Sequence, residues 1–181
     1  MYTVENRLEK TVFWSALIKL LKFGLIVTNI LVVITTFAAV VTRALNISLL
    51  GYEELLIIFA FWLYMFGSAY GSYEKSHIKA DFLVLMMREG LMKDIASLIR
   101  QTLSVILGFI FIVWAAQLFY WSFVNGQLTP VWRIPVVVSQ SSLLFGLGVG
   151  TFFNIVYLYN EIKAFYLKRI KKIDSGDERG E

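Results

Sequence analysis

Few side chains in this sequence could do chemistry. The single histidine, His77, precedes Asp81 by four residues, so on a helix the two share a face. A metal ion would need further ligands, and an acid–base pair would need a nucleophile and a pocket, so the spacing points to a structural hydrogen bond. The chain has no cysteine, which removes disulfides, thiolate metal sites, iron–sulfur clusters and cysteine nucleophiles together. Haem held between helices needs two axial ligands. With His77 outside the apolar stretches, a haem-bearing anchor or membrane enzyme would have to use methionine, and a Soret band would reveal it.

The other candidates are a charge cluster and four single amides. Arg43 closes the first apolar stretch, and Glu53 and Glu54 open the second, where the positive end of a helix favours carboxylates. An ion pair from Arg43 to one of these glutamates is expected to pin the two ends together. Two acids beside one base make a poor anion site. Asn29, Gln117, Gln140 and Asn154 interrupt otherwise apolar stretches and are expected to bond between helices rather than touch a substrate.

The elements that position these residues follow from where charge is missing. Of the 181 residues 58% are hydrophobic and only 17% charged, against about 25% charged in a soluble domain. Phe23–Thr42, Leu55–Tyr73, Gln101–Trp132 and Ile134–Asn160 are uncharged runs of 20, 19, 32 and 27 residues. A helix needs about 20 apolar residues to cross a bilayer. Because every backbone amide must be satisfied inside the segment, and no alternation suited to a barrel is present, the runs are read as helices. Asn125, Gly126, Thr129, Pro130 and Pro135 break the third run from the fourth. The predicted fold is an all-α integral membrane protein of one domain, 1–181. Its spans are expected at about 23–42, 53–73, 100–124 and 136–160, and a disordered tail at 174–181. The first apolar run exceeds a cleaved signal's 7 to 15 apolar residues, so it is read as a retained span.

Between spans 2 and 3, residues 77–94 carry no turn signal until Gly90 and include the apolar run Phe82–Met87. Apolar residues surround this segment's axis, which suits an interfacial arm helix wedged against protein better than one lying freely on the membrane. Ser76 could cap it, with Asp81 complementing its dipole.

Lysine and arginine set the orientation. Fifteen of the 17 fall in the N-terminal segment, the middle connection and the C-terminal segment, and only Arg43 and Arg133 lie in the two remaining connections. The positive-inside rule then places both termini in the cytoplasm. The net charge of +4 is a topology signal of this kind, with contact to membrane lipids along Lys163–Lys172, and not a nucleic-acid surface. Gly67 and Gly71, and Gly146, Gly148 and Gly150, form small-residue stripes that let helices approach closely. The rings of the second span, among them Trp62, need lipid or protein to lie against.

In order along the chain, Arg43, Asn46, Gly51, Tyr52, Glu53, Glu54, Trp62, Gly67 and Ala69, then His77, Ile78 and Asp81, resemble a signature of the small (DctQ-like) membrane subunit of tripartite ATP-independent periplasmic (TRAP) transporters. The resemblance covers effectively the whole chain. Ile134 and Pro135 match the family's loop, while prolines often found just beyond are replaced by residues such as Ser139 and Leu144. It implies a sodium-driven importer of carboxylate-bearing solutes such as dicarboxylates or sialic acid in the bacterial inner membrane. The implied partners are a large polytopic transport subunit and a periplasmic solute-binding protein. This chain would brace the large subunit's scaffold without catalysis, cofactor or metal. Arg43, Glu53, Glu54, Trp62, Gly67, Gly71, His77, Asp81, Arg133 and Pro135 are the residues expected at structural or partner interfaces. The competing reading, an independent small channel or carrier, would need a polar path that uncharged spans do not offer.

Overall fold

The computed structural model of the chain describes residues 12–47, 50–74 and 91–177. Its elements are four helices: α1 Val12–Ala44, α2 Tyr52–Glu74, α3 Leu91–Val124 and α4 Val137–Asp177. Each contains a stretch long and apolar enough to cross a membrane, Trp14–Ala44, Tyr52–Glu74, Ile95–Val124 and Val137–Leu167. The all-α membrane architecture is therefore as the charge gaps require. The arm expected over 77–94 lies outside the described residues except for 91–94, which open α3. Part of the tail expected at 174–181 belongs to α4, which continues to Asp177.

The two connections at one end of the molecule, here the loop side, begin with the same device. At the end of α1, Asn46 takes a left-handed φ of 56°, its N–H bonds to the Arg43 carbonyl at 3.1 Å and that of Ile47 to Thr42 at 2.9 Å. At the end of α3, Gly126 has the same φ of 56°, with Gly126 bonded to Phe123 at 3.3 Å and Gln127 to Ser122 at 3.2 Å. Both are Schellman caps, which satisfy the last carbonyls and turn the chain sharply. Asn and Gly stand there because they enter that conformation at least cost.

The helices pack as a row, α1 against α2, α2 against α4, and α4 against α3. The middle helices α2 and α4 thus have neighbours on two sides, and α1 and α3 form the flanks. At the opposite, terminal side, Trp14 closes the row by reaching across to α4, with ring centroids 5.0 Å from Phe153 and 6.2 Å from Phe152. The core sits there, built on Trp14, Leu21, Ala69 and Phe153. Rings continue it along α2 and α4. Tyr73 lies 5.8 Å from Phe153, while Phe66 lies 5.3 Å from Trp62 and 5.4 Å from Phe145. Lipid is as apolar as these side chains, so the drive is tight packing rather than expulsion of water, and each ring pair adds about 0.5–1.5 kcal/mol.

Close approach needs missing side chains. A Cβ on Gly146 would lie 2.7 Å from the Met65 Cβ and 2.9 Å from the Met65 carbonyl oxygen, and one on Gly24 would lie 2.7 Å from the Phe66 ring. Gly108 is pressed against Thr151 of α4. Gly148 faces open space, so only part of the fourth span's glycine stripe is a contact.

Candidate functional site

The most organised polar site is on the loop side, where the first turn of α2 grips the connection 125–136. That connection folds back on itself: Thr129 N–H donates to the Ile134 carbonyl at 2.9 Å, Val136 N–H to Gln127 at 3.0 Å, and Leu128 pairs with Pro135. Arg133 sits at its turn with a left-handed φ of 51°. The Glu54 carboxylate accepts the Val131 N–H at Oε1, 2.7 Å, and the Trp132 N–H at Oε2, 2.9 Å. The Thr129 side chain also bonds to Glu54, and its hydroxyl oxygen accepts the Ile134 N–H at 3.0 Å. Charge-assisted bonds to two successive amides fix both position and direction of the loop. Gly51 completes the clamp: at φ 84° it leaves room for the Trp132 indole and Val131, which a Cβ would strike. Below it, the Trp62 indole N–H donates to the Val138 carbonyl at 3.1 Å, tying α2 to the first turn of α4.

This arrangement replaces the ion pair expected for Arg43. Among the described residues no ion pair joins Arg43 to Glu53 or Glu54. The loop amides take both oxygens of Glu54, and Arg43 and Glu53 remain exposed. Arg133 and Pro135 are also exposed, on the same loop, whereas Trp62, Gly67 and Gly71 are half-buried along α2. His77 and Asp81 lie outside the described residues.

A second polar system lies along the seam between α3 and α4. Gln140 Nε2 donates to Ser122 Oγ at 2.7 Å, and Ser122 in turn donates to Gln127 at 2.9 Å. Toward the terminal side, Gln101 Nε2 donates to the Asn154 backbone carbonyl at 2.9 Å and also reaches the Asn154 side-chain oxygen at 3.4 Å. At the terminal side Ser97 donates to Glu161 at 2.9 Å, and Arg100 lies 3.8 Å from the same carboxylate. Such bonds fix the rotation and register of two helices at about 1 kcal/mol each. Gln140 and Asn154 therefore behave as interhelical amides. Asn29 and Gln117 do not: both are exposed, on the flanking helices α1 and α3, with no hydrogen bond to another described residue.

Sequence reasoning missed the roles of Thr129, Trp132 and Ser122. The signal for the first two is faint, since the loop that Glu54 holds begins more than 70 residues away. Among the described residues no group of three or more His, Cys, Asp or Glu could hold a metal ion. Chemically the arrangement can clamp a loop and lock helices together.

A comparison with curated proteins gives no match. A family model described as tripartite ATP-independent periplasmic transporters, DctQ component, matches residues 32–164, a stretch running from the middle of α1 to beyond the Arg100–Glu161 pair. The chain is thus a multi-pass membrane protein and a component of a transporter, and it belongs to the DctQ family of tripartite ATP-independent periplasmic transporters.

Proposed function

We propose that this chain is the small, non-catalytic membrane subunit of a sodium-coupled importer in the bacterial inner membrane. In this reading it braces the scaffold of a large polytopic transport subunit and helps dock a periplasmic binding protein that delivers a carboxylate-bearing solute. The termini lie in the cytoplasm, as the lysine and arginine distribution favours. The clamped loop with Arg133 and Pro135 then faces the periplasm.

The observation that carries the reading is how the polar groups of α3 and α4 are used. Gln101, Ser122, Gln140 and Asn154 bond across the α3–α4 seam instead of lining a path, and the charged residues stand near the ends of the spans. Ion coupling and transport leave intramembrane acids, bases or facing carbonyls behind. A rigid helix row with exposed apolar flanks suits a brace for a neighbour. Affinity purification of the tagged chain from membranes co-expressing the cognate large subunit tests it. A stable, near-equimolar complex is expected; purification of this chain free of any large membrane protein would overturn the assignment.

A further inference from the structure

The exposed flank of α1 carries an ordered line of polar residues. Lys22, Asn29, Thr36 and Arg43 follow one another at seven-residue intervals, and all four are exposed, with the Lys22 ammonium 5.5 Å from the Tyr70 ring of α2. Ile26, Val33 and Val40 run beside them at the same interval, each about 60% exposed. Lys22 and Arg43 at the ends of this line reach the headgroup level whatever lies beside the helix. A straight helix, however, drifts ~20° per seven residues, so the line as a whole follows one neighbour only where the two helices supercoil. It stays in contact only with a second helix crossing left-handedly at about +20°.

The line also has a defined place on the α1–α2 pair. Leu25 lies beside Gly67 and Gly24 beside Phe66, which sets the antiparallel register and shows which edges of the two helices adjoin. One turn toward the loop side from Leu25 is Asn29, and about one turn toward the loop side from Gly67 is Tyr64. The two therefore stand at one depth on the same flank. Tyr64 is 70% exposed, and neither its hydroxyl nor the Asn29 amide bonds to another described residue. Thr36, by contrast, satisfies its hydroxyl internally, donating to the Val32 carbonyl at 2.8 Å. Hydrocarbon offers no partner for an amide or a phenol, so both groups demand a protein one.

Resting on the function proposed above, we propose that this α1–α2 flank is where a transmembrane helix of the large subunit docks. Its hydrogen-bonding side chain meets Asn29 and Tyr64, and its carboxylates at the two membrane surfaces face Lys22 and Arg43. These two basic residues are 21 positions apart, about 31 Å along the helix, which matches the hydrocarbon thickness. A second copy of this chain fits worse. Membrane orientation forces a two-fold axis along the bilayer normal, so pairing through this line would set Lys22 against Lys22 and Arg43 against Arg43. The α3 flank has no such charged ends. Its Gln117 lies among Trp114, Tyr120 and Trp121, the ring-rich pattern of a lipid interface.

The test combines photo-cross-linking with substitution in the co-expressed complex. A photoreactive phenylalanine analogue at Ile26 or Val33 is expected to give adducts with the large subunit, and one at Phe109 or Val113 of α3 is not. Asn29→Leu is expected to lower the co-purified large subunit about tenfold and Tyr64→Phe severalfold, with Asn29→Gln retaining most of it and the isolated variants melting like the parent chain. Adducts only from α3, adducts of the chain with itself, or full co-purification of Asn29→Leu would overturn the docking surface while leaving the assembly intact. Absence of the large subunit from the parent preparation would instead reject the functional reading itself.

Discussion

Helices α1 and α4 are built from similar material and put to opposite use. Both offer 31-residue apolar stretches, yet a third of the most apolar window of α4 is buried against 11% of that of α1. The polar residues follow the same division. On α4, Ser139, Gln140, Ser142 and Thr151 are all buried, whereas on α1 Thr28 is buried with its hydroxyl bonded to its own helix at Gly24 and Asn29 is exposed. Composition alone cannot separate a helix that holds the subunit together from one that holds something else. The neighbour does: α4 has α2 on one side and α3 on the other, whereas α1 packs along α2 and touches α4 through Trp14 at its terminal end.

Substitutions can break this contrast in graded steps. The largest loss of stability is expected for Gly146→Val, because the added carbons meet the Met65 Cβ and carbonyl oxygen, neither of which can swing away as the end of a side chain can. Forcing α2 from α4 should cost about 3 kcal/mol, read as a lowered unfolding midpoint in detergent titration. Ser122→Ala removes the central member of the Gln140–Ser122–Gln127 chain, and a loss of about 1 kcal/mol in the same titration is expected. Asn29→Leu, on the exposed side of the comparison, should leave the isolated chain within about 0.5 kcal/mol of the parent. A loss equal to that of Ser122→Ala would erase the distinction between α1 and α4.

The clamp sharpens the contrast locally. Glu54→Ala should strip hydrogen-exchange protection from the Val131 and Trp132 amides while leaving those along α4 unchanged. In Glu54→Gln one amide keeps an acceptor, so partial protection is expected. Arg43→Ala should leave both amides protected, since no ion pair to Arg43 supports the clamp among the described residues.

The helices were legible because a bilayer imposes length and apolarity on each span separately, so gaps between charges suffice. The third span ends at Val124, where Asn125 and Gly126 announce it. Glu54 was legible as important but not as a clamp. Its partners are backbone amides, which every residue possesses, and nearness in sequence favoured Arg43 instead. Trp62 and its neighbouring rings need something to lie against, and the structure supplies Phe145 of α4 and the Val138 carbonyl. The amides divided for a reason the sequence does not contain. Gln140 and Asn154 sit on the helix with two neighbours, Asn29 and Gln117 on those at the edge.

The central claim, that this subunit supports transport without performing it, is tested most directly by sodium-gradient-driven solute uptake in proteoliposomes. Vesicles holding this chain alone should show no uptake above empty vesicles, and uptake should arise only when the large subunit and the binding protein are added. Sodium-dependent accumulation by this chain alone would contradict the account.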